Sequence, residues 1–181
     1  AVADELTAVN AQEPGRIAWL TDTTATPPDV FLLDRGEYSQ PKIKVEPAPI
    51  AVLNDPGNPL TVTAPANAFP STGRRLAWAN WVTYPDSRAA SLMARVQVNR
   101  VWQHHFGLGL VGTSENLGMS GSDPTNPALL DWLAAEFIRS GWSMKAMHRL
   151  ILSSAVYRQS GVAHDAGLQT DPYNLLLWRY P

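Results

Sequence analysis

The stretch Asn126-Pro127-Ala128-Leu129-Leu130-Asp131-Trp132-Leu133-Ala134-Ala135-Glu136-Phe137-Ile138-Arg139-Ser140-Gly141-Trp142-Ser143 decides the fold class. Pro127 sits in a first helical turn, where a missing N–H costs nothing, just after a capping Thr125 or Asn126. Leu130, Leu133, Ala134, Phe137 and Ile138 then recur at the three- and four-residue steps of one helical face. Gly141 suits the left-handed position that ends a helix, and Ser143 is a ready cap for the next. That next helix reads as Met144–Arg158, with Met147, Leu150, Ile151 and Ser154 or Ala155 turned inward.

Upstream, Ala89–Phe106 reads as the longest helix, stopped at Gly107, with Leu92, Met93, Val96 and Val101 at helical spacing. Arg74–Thr83 is a shorter one, ended by Tyr84-Pro85. Between Gly107 and Asp123 lies a long glycine-rich loop, and Asp171 is placed to cap a last segment from Pro172 to Trp178. Residues 1–72 have a different texture and hold most of the 15 prolines. Ala3–Gln12 reads as a helix remnant. The apolar runs Arg16–Thr21 and Val30–Asp34 suggest a small hairpin, and Lys42–Glu46 alternates as an edge strand does. The expected architecture is therefore mainly α: an irregular helical bundle over 73–181, with a small antiparallel β element in a Pro-rich extended segment over 1–72. The chain begins without Met and stops within an apolar segment, so it reads as a fragment truncated at its C-terminal end.

Composition narrows the function classes. Hydrophobic residues make up 45% of the 181, enough for a core, whereas charged residues are only 17%. A net charge of −2 argues against a nucleic-acid partner, which needs a clustered basic face. No stretch reaches the ~20 apolar residues of a membrane span. Without cysteine there is no disulfide and no thiolate metal site. Adjacent His104 and His105 point about 100° apart on a helix, so they cannot face one ion together, and neither metal nor cofactor is expected.

Three groups of residues carry candidate chemistry. Arg95, Asn99, Arg100 and His104 place polar groups along the apolar 89–106 helix, either as the wall of a ligand site or as a network bonded to the 107–123 loop. The loop, folded over that polar face, would enclose a pocket walled by Arg100, His104 and Glu115. Glu115, Asp131 and Glu136 could supply the carboxylate pair of a glycoside hydrolase, which needs two roughly 5–10 Å apart. The plainer reading gives Asp131 to the helix dipole and Glu136 to an ion pair with Arg139 or Arg100. Seven tryptophans are many for this length. Most should fill the core, but Trp132 lies opposite its helix's apolar stripe, and it and Trp142 are the candidates for stacking on a sugar ring.

Three ordered motifs carry a family resemblance: Arg95-Val-Gln-Val-Asn99-Arg100-Val-Trp102-Gln103-His104-His105-Phe106-Gly107; Asn126–Phe137 with Ser140-Gly141-Trp142-Ser143-Met144-Lys145; and His148-Arg149-Leu150-Ile151-Leu152-Ser153-Ser154-Ala155-Val156-Tyr157-Arg158-Gln159-Ser160. Together they resemble the C-terminal domain of unknown function in large planctomycete surface proteins, which often also carry cytochrome c-like segments. The resemblance covers about residues 28–181 and is strongest from 74 onward. It implies an exported parent protein, periplasmic or at the cell surface, and brings no activity with it. The first expectation is a carbohydrate- or surface-associated module. Beside it stand a glycoside hydrolase using a carboxylate pair, and a structural module holding neighbouring domains. A carbohydrate ligand and a homodimer through the exposed C-terminal segment complete the expected partners.

Overall fold

Helix boundaries in this protein follow its capping side chains. A computed structural model describes residues 22, 24, 26–64, 66 and 71–181. The expected helix at Ala3–Gln12 and the run Arg16–Thr21 lie outside them. Two compact units are present; the described residues fall at 22–47 and 62–75 in the first, and at 48–61 and 76–181 in the second.

The first unit is built on a two-stranded antiparallel ribbon, β1 (Val30–Asp34) and β2 (Glu37–Val45). Its two-residue loop, Arg35-Gly36, has φ of 51° and 80°. Positive φ at both loop residues is the type I′ geometry that matches strand twist. Val30–Asp34 thus pairs with the segment after it. β2 also starts five residues earlier than the alternating Lys42–Glu46. Irregular register on either side of Leu33, which faces Pro41, accommodates a residue that cannot donate to the ladder. Elsewhere in this unit the Asp22 carboxylate accepts from the Thr72 N–H at 2.6 Å and hydroxyl at 2.9 Å, and pairs with Arg75 at 2.9 Å. The Thr72 backbone bond leads the causes that hold Asp22 below the usual carboxylate range.

The second unit is helical. It carries α1 (Arg74–Thr83) from Leu76 onward, then α2 (Arg88–Phe106), α3 (Pro127–Arg139), α4 (Met144–Ser153), α5 (Ala155–Arg158) and α6 (Asp165–Thr170). Ser87, Asn126, Ser143 and Ser154 each accept from the N–H three residues on. The predicted 144–158 helix is therefore two, broken where Ser154 closes one and caps the other. The segment Pro172–Trp178, which Asp171 was expected to cap, forms neither helix nor strand. Asp171 instead follows α6, and its two carboxylate oxygens accept from Leu175 and Leu176 N–H, holding a series of turns.

One core joins α2, α3 and α4. Leu130, Leu133, Phe137 and Ile151 are buried in it and Leu150 packs against it, as the periodicity required. On α2 the buried stripe is Ala90, Ala94, Val98, Val101, Trp102 and Phe106, while Leu92 is exposed. The larger side chains suggested a different face. Alanines won because they let α3 approach closely.

Candidate functional site

Asn99 is the most constrained polar residue of the helical unit. It lies wholly inside the fold, where its Oδ1 accepts from Val111 N–H at 2.8 Å. Its Nδ2 donates to Val111 O at 3.1 Å and to Ser114 Oγ at 3.3 Å. The amide thus reproduces a strand partner for one residue of the 107–123 loop and pins the loop to α2. Gly109 is required beside it, since a Cβ there would fall 2.7 Å from Asn99 Nδ2. Asn99 belongs to the loop network and presents no free group to a ligand.

The rest of the α2 polar face does not join it. Arg100, His104 and Glu115 are all exposed, and none of the three lines a cleft described among these residues. Where the loop does border a cavity, at Leu108, Gly109 and Leu110, Arg179 is the charged residue of its lining, beside Thr125, Tyr173 and Asn174.

Arg95 turns away from the loop. Its Nε and Nη2 both reach Asp131 Oδ1, at 2.8 and 2.7 Å, so α2 and α3 are bridged. This pair lines a cleft of about 580 Å³ with Asp86, Ser91 and Arg139, over an apolar floor of Ala134, Ala135 and Ile138. Pro85 and Asp86 form a wall shared with a second cleft of about 380 Å³, which holds Asp55, Asn58, Tyr84 and Ser87. Asp86 has a φ of 63°, the left-handed conformation that a short polar side chain tolerates in a tight turn. Tyr84 beside it is exposed.

The remaining candidates lie apart. Glu136 holds Arg139 through two bonds, Nε–Oε2 at 2.9 Å and Nη2–Oε1 at 2.6 Å, and borders a separate cleft with Ala146, Arg149 and Ser153. Asp131 and Glu136 therefore face different clefts, and Glu115 lines none of those described. Trp132 is exposed, next to Asp131 on the outer side of α3. Trp142 packs edge-on to Phe137 at 5.3 Å. Its N–H donates to Phe137 O and that of Gly141 to Ile138 O, the double bond of a Schellman stop, whose usual hydrophobic contact is this ring pair.

With these positions fixed, the family can be stated. The family model described as PSD1, protein of unknown function (DUF1553), matches residues 74–181. The chain belongs to that family. No curated protein and no solved structure matches it. The PSD1 match spans α1 to α6 and includes the Arg95–Asp131 bridge, Asn99 and the cleft around them.

Within the PSD1 region the sequence reading missed one polar pair. His105 Nε2 lies 2.8 Å from His148 Nδ1, joining α2 to α4. The His105 ring also meets Tyr157 edge-on at 5.8 Å, and its carbonyl accepts from the Tyr180 hydroxyl at 3.3 Å. Burial, then the neighbouring His148 and His104, push His105 below the ordinary imidazole range. The available signal was positional: His105 follows Val101 by four residues and His148 precedes Ile151 by three, so both flank buried stripes.

Proposed function

We propose that the helical unit is a non-catalytic carbohydrate-associated module of an exported protein. The observation that carries this reading is the Arg95–Asp131 cleft. It combines planar hydrogen-bonding side chains, an apolar floor and the exposed Tyr84 close to its Asp86 wall. Saccharides present rows of hydroxyls around apolar ring faces, and such a lining answers both. The resemblance to planctomycete surface proteins with cytochrome-linked segments supports the exported, surface-associated placement. No helix among the described residues is long and apolar enough to cross a membrane.

Binding is preferred to hydrolysis because a glycosidase needs two carboxylates flanking one bond. Of Glu115, Asp131 and Glu136, no two line the same cleft, and Asp131 Oδ1 is committed to the Arg95 guanidinium. Asp86, which lines the same cleft as Asp131, keeps a hydrolase as the second reading. Affinity electrophoresis against a panel of soluble polysaccharides tests the first reading. Retardation by at least one glycan, abolished in Asp131→Asn, is expected. Turnover of chromogenic glycosides, abolished in Asp86→Asn, would replace binding with hydrolysis. Tyr173 and Leu176 are exposed, and this apolar surface supports the reading of a homodimer through the C-terminal segment. Light scattering should then report a dimer that Leu176→Asp returns to monomer.

A further inference from the structure

The chain after α6 is shaped by side chains where no helix or strand shapes it. Asn174, buried and at a φ of 55°, clasps the backbone of Arg179 from both sides. Its Nδ2 donates to Arg179 O at 2.9 Å, and its Oδ1 accepts from Arg179 N–H at 3.2 Å. Trp178 Nε1 donates to Asp171 O at 2.8 Å, and Gln159 Nε2 donates to Leu177 O at 2.7 Å. Gly167 is needed because the Trp178 ring fills the place of any Cβ, at 2.5 Å. Seven chain positions are thus brought together to hold one short loop.

What this loop holds in place is Arg179. Its guanidinium carbon lies 5.3 Å from the centroid of the Trp178 ring. Among the described residues it meets no carboxylate, and its Nε is buried without an acceptor. Beside it is a cavity of about 250 Å³ with a largely apolar wall of Trp102, Phe106, Leu108, Leu110 and Leu177, which Thr125, Tyr173 and Asn174 complete. A fixed cation, short of acceptors, at the edge of an apolar cavity is unfavourable unless an anion completes it.

We propose that this cavity binds a small carboxylic acid with an apolar body. The guanidinium fork takes the carboxylate through two N–H groups, and the aromatic and leucine walls take the hydrocarbon part. The volume is below the roughly 300–1,000 Å³ of drug-sized sites, so the ligand is a short aliphatic or single-ring acid. This site is separate from the Arg95–Asp131 cleft and does not depend on carbohydrate binding there.

The test is calorimetric titration of the full chain with hexanoate, benzoate and hexan-1-ol. One or both acids should bind at least about tenfold more tightly than the alcohol, a difference that reports the charge. Arg179→Gln should reduce acid affinity to that of the alcohol, while Arg179→Lys keeps the charge without the fork and falls between. Should Arg179→Gln fail to fold, Leu108→Trp, at an exposed wall position, fills the cavity and should abolish acid binding. No binding of either acid, equal affinity for acid and alcohol, or acid binding undiminished in Arg179→Gln or Leu108→Trp would each overturn the proposal.

Discussion

Asn99 and the His105–His148 pair show how differently a buried and a half-buried polar contact respond to change. Asn99 satisfies both backbone groups of Val111, so Asn99→Ala strands a buried N–H and a buried C=O together. At about 1–3 kcal/mol for each buried group left unpaired, the variant should lose roughly 2–6 kcal/mol in chemical denaturation. Asn99→Asp keeps the acceptor but sets a buried carboxylate against the Val111 carbonyl, so it should cost at least as much. The histidine pair is a pH device by geometry. A 2.8 Å N···N contact needs one N–H and one lone pair, so two charged rings cannot share it. His105 is depressed in the folded chain, so the unfolded chain takes up protons first as the solution is acidified. Its contribution is complete above the unfolded value of about 6.5 and is lost as pH falls through that and on through the folded value. Melting temperature should therefore fall on acidification from pH 7 to pH 5, and fall less in His105→Phe. A wild-type melting temperature flat across this range would contradict it. Asn99 was legible as a polar residue in an apolar stripe, but its partner was not. Nothing local says which carbonyl of a glycine-rich loop comes within reach.

At the scale of elements, starts and stops were more legible than registers. Asn126 and Ser143 act through a hydrogen bond within three residues, so their signal is complete in the local sequence. The Arg35-Gly36 turn was hidden because its first residue is an arginine, which rarely takes positive φ, and Pro41 argued against a strand that the bulged register nonetheless accepts. The inward face of α2 was misjudged for a related reason. Buried alanines carry little hydrophobic signal, yet they set how near two helices come. Gly141 gives this scale its prediction. Its φ of 69° starts the stop that seats Trp142 on Phe137. Gly141→Ala should cost about 1–2 kcal/mol from the left-handed backbone alone. If Trp142 serves only to close that stop, Trp142→Phe should keep most of the stability and any glycan affinity. Loss of glycan affinity at unchanged stability would return Trp142 to the ligand-contacting set.

Over the whole molecule, the helical part was legible because its motifs are long, ordered and local, and the family match covers that part, residues 74–181. The membership of 48–61 in the helical unit was not legible, since its Pro/Asn/Gly texture reads as coil wherever it packs. One bond shows how it is held: Asn58, buried, donates to Trp81 O at 2.9 Å. The two units should differ in local stability. Every residue of β2 is exposed, and the cross-strand pairs Val30–Val45 and Leu32–Ile43 put four uncovered apolar side chains on one face of the ribbon. A two-stranded ribbon without a covering layer is marginal in water, because ladder bonds open to solvent add little net stability. The amides of α2 and α3 are backed by a buried core of Val98, Trp102, Leu130, Leu133 and Phe137, so they can exchange only when that core opens. Hydrogen–deuterium exchange at neutral pH should therefore label 30–45 within the earliest time points, while 98–106 and 130–137 stay protected to the longest. Equal protection of the two regions would mean that a further part of the protein covers the ribbon face. The same experiment at pH 5 should deprotect 101–106 and 147–151 together, because the histidine pair ties those two segments to each other and its loss frees both.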